Sequence, residues 1–218
     1  MQKIYYFNAD DKILAEGANL FPEDAPDLKF YHCSRCFKKY EHLTTCQKHT
    51  GKCILGVKNP IWSENNLEIA KISDNKNKKF VDACSSLAYF SRREQKLDGV
   101  LINPRDNFKK DRPVFCLLKN GSLIGYLAYW EKILIDEDNY KFSSLVFWDD
   151  YIIKPERNSN YMVKLFDLSI SNLKVKLQDI LYSWPPSEEL IKLLKSKSIE
   201  KINAWTNHGW QKDVPIEF

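Results

Sequence analysis

Hydrophobic and polar positions alternate and recur along the middle of the chain in ways that predict one strand followed by one helix. Residues 67–72 begin with alternating apolar and polar side chains and form a short run, which is typical of a strand. A polar turn at 74–77 follows. Apolar residues then recur at helical spacing and predict a helix from about residue 78 to 93, at Phe80, Cys84, Leu87 and Ala88.

The next hydrophobic runs predict a β-hairpin. Residues 114–118 and 123–130 are both rich in apolar and aromatic side chains, and four residues lie between them. That connection contains Asn120 and Gly121, a pair that favours the left-handed backbone of a tight hairpin turn. A mostly polar loop over 95–112 precedes the hairpin.

The C-terminal third predicts strands and helices in alternation. The expected elements are a strand over 142–153 broken at Asp149 and Asp150, a helix over 159–174, a strand over 179–184, a helix over 188–197 and a strand over 199–205. Ser187 is the expected N-cap of the second helix. The first helix should bury an apolar face with the small Ser169 in it, made by Met162, Leu165, Phe166, Ile170 and Leu173.

The order of these elements predicts an α+β fold: a mixed sheet flanked by helices. At the N-terminus we expect only a short strand, Lys3 to Phe7, and an irregular segment up to about residue 30, before a small separate module over about 30–55.

Composition excludes a disordered chain and a membrane-spanning one. Hydrophobic residues make up 44% and aromatic residues 13% of the 218 positions, enough for a packed core. No apolar run approaches the length of about 18 residues that a membrane span needs, and residues 1–6 do not resemble a signal peptide. We therefore expect no membrane contact and an intracellular protein, nuclear in a eukaryote and cytoplasmic otherwise.

The net charge of +4 is mild, and lysines cluster at 38–39, 76–79 and 109–110. Such clusters could contact the phosphates of a nucleic acid. They are also common on solvated surfaces, and the sequence leaves both interpretations open.

The chemistry-bearing motif of the chain combines three cysteines and a histidine. Two residues separate Cys33 from Cys36, twelve separate Cys36 from His49, and three separate His49 from Cys53. Two cysteines on a tight turn can face one ion, and a histidine and a cysteine at i and i+4 share one face of a helix. The spacing predicts a tetrahedral Zn²⁺ site, with Phe37 and Tyr40 as the plugs of a miniature core.

The alternative is four unrelated residues in a protein whose thiols are free. Cys46 lies one helical turn before His49 and could compete for the ion, but we interpret it as a packing residue. Cys84 and Cys116 stand in apolar surroundings and are expected to be buried thiols.

Four stretches resemble the catalytic domain of MYST-type histone acetyltransferases, members of the acetyl-CoA-dependent GNAT superfamily. Phe21-Pro22-Glu23-Asp24 is similar to the segment before the MYST zinc finger, and residues 30–53 are similar to that finger in ligand order and spacing. Residues 64–90 resemble the following strand, turn and helix, and 123–126 the hydrophobic-Gly-Tyr strand. The resemblance implies a finger subdomain over 1–57 and a GNAT-like domain over 58–218.

The resemblance also implies a binding site for acetyl-CoA after the long strand. In this superfamily, backbone amides of an Arg/Gln-x-x-Gly-x-Gly/Ala loop at a helix N-terminus hold the pyrophosphate. Arg157 matches the first position, whereas Asn160 and Met162 replace the two small residues, and asparagine tolerates unusual backbone angles. The implied cofactor-binding residues are Ile152, Ile153, Arg157, Asn158, Ser159, Asn160, Tyr161, Met162 and Ser187.

The catalytic residues of the resembled family are not all matched. Trp148, Asp149 and Asp150 occupy the region of its central cysteine, and Ser183 and Trp184 stand where its general-base glutamate is expected. An ammonium must lose a proton before it attacks a thioester, so a base is needed. The candidates are Asp149, Asp150 and Glu188; the two adjacent aspartates could raise one another's pKa or form a solvent-facing bulge.

Three functions are consistent with these patterns. The first is acetyl-CoA-dependent N-acetylation of protein lysine with a structural zinc. The second is a catalytically inactive zinc-finger and GNAT-like module that binds nucleic acid or a protein partner, through finger lysines at 38, 39, 48 and 52 and exposed aromatics such as Trp62 or Trp210. The third is a related enzyme with a different acyl donor or a small-molecule amine. His208 is interpreted as structural.

Overall fold

The structure is a computed structural model. It describes residues 3–18, 28–72, 78–94, 113–135, 141–157, 159–183, 188–206 and 209–216. The predicted loop over 95–112, the segment over 21–24, and His208 therefore lie outside the described residues.

The N-terminal residues form a small sheet. Its strands are β1 (Lys3–Asn8), β2 (Ile13–Ala18), β3 (Leu28–His32) and β4 (Lys39–Tyr40), in the order β2-β1-β3-β4. The predicted strand at Lys3 is confirmed, but the expectation of an irregular segment after it is wrong where β2 and β3 form. Strand β1 pairs parallel with β3 across a long connection, and no local pattern in the sequence predicts such a pairing.

A large mixed sheet forms the body of the protein. Its strands follow in the order β12-β11-β10-β9-β8-β7-β6-β5. They are β5 (Trp62–Glu64), β6 (Leu67–Lys71), β7 (Val114–Lys119), β8 (Ser122–Ile135), β9 (Lys141–Ile152), β10 (Ile180–Ser183), β11 (Lys201–Thr206) and β12 (Gly209–Pro215). Strands β9, β10 and β11 are parallel, and the other pairs are antiparallel.

The hairpin predicted at residues 119–122 is confirmed. Asn120 and Gly121 both have positive φ, 51° and 68°, which is the backbone that a two-residue turn between twisted strands requires. Strand β8 runs further than predicted, to Ile135, and both edge strands, β5 and β12, were missed. Edge strands are short and half-exposed, so their hydrophobic pattern is weak.

The helices are α1 (Leu43–Lys52), α2 (Lys78–Glu94), α3 (Tyr161–Leu173) and α4 (Glu188–Ser196). Three helices match their predicted positions to within a few residues, and α1 forms where the spacing of His49 and Cys53 implied a helical face. The predicted N-cap of α4, Ser187, lies outside the described residues.

The two faces of the large sheet carry different layers. On one face, Phe80, Leu87 and Phe90 of α2 pack with Tyr126 and Tyr151 of the sheet in one buried cluster. On the other face, α3 and α4 pack over Leu127, Phe147 and Tyr182. The predicted apolar face of α3 is confirmed: Leu165, Phe166 and Ser169 are fully buried, and Met162, Ile170 and Leu173 are half-buried against the core.

A buried hydrogen bond joins α3 to the sheet. The Ser169 side chain lies 2.6 Å from the Tyr129 hydroxyl, and it also donates to the carbonyl of Phe166. A small residue at this point of the helix leaves room for the tyrosine and gives its hydroxyl a partner in the core.

Candidate functional site

The four predicted metal ligands come together. One ligand atom from each of Cys33, Cys36, His49 and Cys53 lies within 4.8 Å of the others. Cys33 and Cys36 lie in the turn between β3 and β4. His49 lies in the last turn of α1, and Cys53 is the first residue after that helix. Three soft sulfurs and one imidazole are a donor set that suits a tetrahedral ion.

Hydrogen bonds prepare the cluster for a metal. The Cys36 sulfur lies 3.2 Å from Nε2 of His49, and the backbone N–H of Arg35 points at the Cys33 sulfur at 3.4 Å. Hydrogen bonding between the two thiols lowers the pKa of Cys33 and raises the pKa of Cys36. A metal binds the thiolate form, so an ion bound here would displace thiol protons.

Arg35 closes the finger at its C-terminal end. Its Nη1 donates to the backbone carbonyl of Cys53 at 2.7 Å, which joins the cysteine turn to the end of α1. Burial raises the pKa of Cys53. Sequence reasoning did not single out Arg35, because an arginine between two cysteines has no signature of its own.

The other cysteines behave as predicted. Cys46 is fully buried and is not part of the metal-ligand cluster found among the described residues. Cys84 of α2 and Cys116 of β7 are also fully buried, with their sulfurs 3.0 Å apart, and burial raises the pKa of Cys84 well above its ordinary value. They are core thiols.

His32 connects the finger to the body of the protein. Its Nδ1 lies 2.8 Å from the carbonyl of Phe37, and its ring contacts the rings of Tyr6, Phe37 and Phe90. Phe37, the predicted plug, is buried and lies 5.4 Å from Phe90 of α2, measured between ring centroids. Tyr40, the second plug, is half-buried beside His49. The finger core is thus continuous with the core under α2.

Strand β9 runs past the end of β10 and leaves an open edge that we call the cleft. The two strands pair over three positions, the last joining Phe147 to Tyr182. Beyond that point β9 continues to Ile152 with β8 as its paired neighbour, while β10 ends at Ser183. Among the described residues no strand pairs with this part of β9 on its β10 side, so its backbone there can offer donors and acceptors to a ligand.

Two of the three candidate acids, Asp149 and Asp150, belong to the part of β9 that runs past β10. Asp150 lies opposite Leu127 and Asp149 opposite Ala128, with the register shift between β8 and β9 just before them at Trp148. Asp150 is half-buried. Glu188 is the first residue of α4. The side chains of Asp149 and Glu188 lie outside the described part of the structure.

The predicted cofactor loop follows β9 directly. The backbone N–H of Ile153 donates to the carbonyl of Ile124 at 2.9 Å and so faces β8. Because successive residues of a strand point their N–H and C=O groups to opposite sides, the carbonyl of Ile152 faces the open cleft. Arg157 Nε donates to that carbonyl at 2.9 Å, and its guanidinium lies 5.4 Å from the ring centroid of Tyr151. Arg157 therefore covers the end of the open edge.

Asn160 takes the backbone conformation that a glycine would supply. Its φ is 53° and its ψ 16°, in the left-handed region, immediately before α3. No side chain caps the helix at this residue, so the first amides of α3, at Tyr161 and Met162, retain their hydrogen-bonding capacity. Met162 packs its half-buried side chain against the core cluster of the α3 face. Ser159 and Asn160 are exposed, and Asn158 lies outside the described residues.

An ion pair that sequence reasoning missed braces this loop. Lys119, at the end of β7, donates to the Glu156 carboxylate at 2.8 Å, and its amine lies 5.6 Å from the ring centroid of Tyr161. The hydrogen bond to Glu156 raises the pKa of Lys119. The contact joins residues 37 positions apart in the chain, a separation at which single-sequence patterns carry no information.

The aromatic residues expected to be exposed are half-buried instead. Trp62 of β5 lies under the Lys164 amine, 3.6 Å from its ring centroid, and Trp210 packs against Val146 and Leu181. The expectation was wrong because each tryptophan lies in a sheet strand whose neighbours cover part of its ring. Of the described helices, none combines the length and the apolar character needed to cross a membrane.

Comparison with known proteins adds the fold relationship. No family model matches the chain, and no curated protein matches its sequence. Among solved structures, the acetyltransferase domain of xEco2 is 11% identical with a TM-score of 0.51, covering 69% of this chain and 98% of that chain. The same domain bound to a lysine–CoA conjugate is 10% identical with a TM-score of 0.53, covering 68% and 98%. The chain has a GNAT-like fold. At this level of identity the similarity concerns the fold and not the activity.

Proposed function

We propose that this protein is a MYST-like, acetyl-CoA-dependent N-acetyltransferase that acetylates lysine side chains of a protein. The observation that carries the proposal is the continuity of the cleft. The open edge of β9 bears Asp150, leads through Ile152 and Ile153, and ends at the uncapped N-terminus of α3. The lysine–CoA conjugate held by the structurally similar xEco2 domain supports a lysine as the acceptor.

The residues fit acetyl-CoA in backbone geometry. Amides around Ser159, Asn160, Tyr161 and Met162 would hold the pyrophosphate, because the left-handed Asn160 begins a helix whose first N–H groups have no side-chain cap. Asn158 and Ser187 belong to the same proposed site through the family resemblance. The backbone of Ile152 and Ile153 would align the pantetheine chain along the open edge of β9.

The fit requires one local rearrangement. Arg157 Nε already donates to the Ile152 carbonyl on the side of the cleft. We propose that the guanidinium turns away from this carbonyl toward the anionic cofactor, for which it is a suitable partner. Met162 does not oppose the fit, since its side chain packs toward the core.

Asp150 is the proposed general base. Bound acetyl-CoA supplies an activated thioester carbonyl. The lysine ammonium would give one proton to the Asp150 carboxylate, directly or through water. The neutral amine would then form the new C–N bond as the C–S bond breaks, and its second proton would go to the departing CoA sulfur. Asp149 and Glu188 are the alternative bases, and the same experiment discriminates among the three.

The cysteine and histidine cluster is proposed to hold a structural Zn²⁺. All four ligand atoms of the tetrahedral set come from the chain, which leaves no open position for a reacting water. The ion would therefore stabilise the finger and its contact with α2, and it would take no part in acetyl transfer.

Mass spectrometry of a lysine-rich peptide incubated with the zinc-loaded protein and acetyl-CoA tests the proposal. We expect acetylated lysine, and a loss of rate of roughly 100-fold or more in Asp150→Asn. Asp167→Asn on the exposed side of α3 is the matched control and should leave the rate unchanged. An equal loss in Asp149→Asn or Glu188→Gln alone would move the base to that residue. Absence of transfer by the wild-type protein would contradict the enzyme proposal.

A catalytically inactive binding module is the second candidate. The contact that favours it is the hydrogen bond of Arg157 to Ile152, which occupies the cleft edge that a cofactor would use. In that case the wild-type protein neither binds acetyl-CoA nor transfers acetyl groups, while its finger retains its metal and its partners.

A further inference from the structure

A groove separates the zinc finger from helix α2. It encloses about 900 Å³ and is lined by the finger on one wall and by the first three turns of α2 on the other. We call it the finger groove and define it by Lys48, Lys52, Ile54, Lys79 and Tyr89. Three of the proposed metal ligands, Cys36, His49 and Cys53, also line it, so part of its volume belongs to the metal site. It lies on the α2 face of the large sheet, whereas α3 lies on the opposite face.

The charge of the finger groove is strongly one-sided. Among the described residues, five lysines line it, and one acid, the exposed Asp82, stands among them. The lysines come from both walls: Lys38, Lys39, Lys48 and Lys52 from the finger, and Lys79 from α2. A concave site lined by one sign of charge concentrates ligands of the other sign.

The finger groove also exposes apolar side chains. Ile54 is 76% exposed and Tyr89 39% exposed, although both are large hydrophobic residues in a protein that buries most others. Leu55 and Phe37 add a buried apolar floor. Exposed apolar side chains inside a charged rim are the composition of a binding site with a central anchor pocket.

We propose that the finger groove binds an acidic peptide segment that carries an apolar anchor residue. Carboxylates of the segment pair with the lysines, and the anchor packs against Ile54 and Tyr89. This combination favours a peptide over a nucleic acid, which supplies negative charge but no aliphatic anchor for Ile54. The inference does not depend on acetyl transfer, because the groove lies between the finger and α2, whereas the proposed cofactor edge belongs to β9.

Fluorescence anisotropy with a labelled peptide tests the proposal on the full, zinc-loaded chain. The probe has the sequence Glu-Asp-Glu-Leu-Phe-Glu-Asp-Glu, and a second probe replaces Leu-Phe with Ser-Ser. We expect saturable binding of the first probe that weakens with salt, and binding at least roughly fivefold weaker for the second. A single-stranded oligonucleotide of 20 nucleotides is the third probe.

Substitutions of groove residues test whether the peptide binds in the finger groove. Lys48→Gln combined with Lys79→Gln removes one charge from each wall and should weaken the peptide roughly tenfold, as should Ile54→Ser. Lys192→Gln combined with Lys195→Gln is the matched control on exposed positions of α4 and should have no effect. Zinc content and circular dichroism confirm that each variant remains folded.

Absence of saturable peptide binding, equal binding of both peptides, or equal effects of the groove and control variants would overturn the proposal. Tighter binding of the oligonucleotide, lost in the Lys48 and Lys79 variant, would also overturn it and assign the groove to nucleic acid.

Discussion

Gly125 of β8 lies directly opposite Ile152 of β9, and the two backbones approach so closely that no side chain fits between them. A Cβ on Gly125 would overlap Ile152 Cδ1 and would stand 2.7 Å from the backbone carbonyl oxygen of Tyr151. The second contact is with backbone and cannot be relieved by a rotamer change. The glycine therefore holds β9 in place where the proposed cofactor edge begins.

Replacing this glycine is expected to destabilise the fold. Gly125→Ala should lower the free energy of unfolding by about 1–3 kcal/mol, since the added methyl group must displace β9. Urea denaturation measures the change. Gly56→Ala is the control: nothing lies within 4 Å of its Cβ position, so its stability should match the wild type within about 0.5 kcal/mol. Equal stability of both variants would show that β8 and β9 are not packed as described.

Removing the metal from the finger should affect the whole protein. Chelation of the zinc, or Cys36→Ser, is expected to lower the free energy of unfolding by about 3 kcal/mol or more, because Phe37 and His32 then lose their fixed positions against Phe90. Metal analysis should find one zinc per wild-type chain and less in the variant. Cys46→Ala should keep its zinc, and loss of zinc in that variant would place Cys46 among the ligands.

Alkaline pH should destabilise the core through Tyr129. Burial raises the pKa of Tyr129 well above its ordinary value of 10.0, and burial also raises the pKa of Tyr182. Above pH 10 the unfolded chain releases these phenolic protons while the folded chain keeps them. The stabilisation is therefore complete below about pH 10 and is lost as the pH rises, at up to about 1.4 kcal/mol per pH unit for each group.

Removing the Tyr129 hydroxyl isolates its contribution to the alkaline loss of stability. Tyr129→Phe loses the hydrogen bond to Ser169 at neutral pH but should show a shallower decline of unfolding free energy between pH 10 and 11. Tyr89→Phe on the exposed side of α2 leaves the Tyr129–Ser169 pair intact and should follow the wild-type curve. A wild-type curve that is flat in this range would contradict the burial of Tyr129.

The left-handed backbone of Asn160 should control acetyl-CoA affinity. Asn160→Gly keeps that conformation available, so we expect affinity within about threefold of the wild type. Asn160→Val disfavours it and should weaken binding at least roughly tenfold, because the amides at the start of α3 turn away. Isothermal titration calorimetry compares the two variants. Equal affinities would exclude the start of α3 as the pyrophosphate site.

Local spacing was sufficient to predict the metal-ligand cluster and the helices. Cys33, Cys36, His49 and Cys53 lie within one turn and one helix, so their distances along the chain nearly determine their distances in space. The turn at Asn120 and Gly121 and the apolar face of α3 are similarly local. The bound ion itself and the roles of the cleft residues stay predictions.

Contacts between segments far apart in the chain could not be predicted from the sequence. The parallel pairing of β1 with β3, the ion pair of Lys119 with Glu156 and the contact of His32 with Phe90 each join residues that share no local pattern. Arg157 illustrates the limit most clearly. Its position in the motif was predicted, but its hydrogen bond to the Ile152 carbonyl depends on how the chain turns after β9.

Calorimetric titration of the zinc-loaded wild-type protein with acetyl-CoA tests whether the proposed cofactor site exists. We expect binding of one acetyl-CoA per chain with a dissociation constant in the micromolar range. No heat of binding at millimolar acetyl-CoA, from protein that retains its zinc and its cooperative unfolding, would contradict the enzyme proposal and favour a binding module.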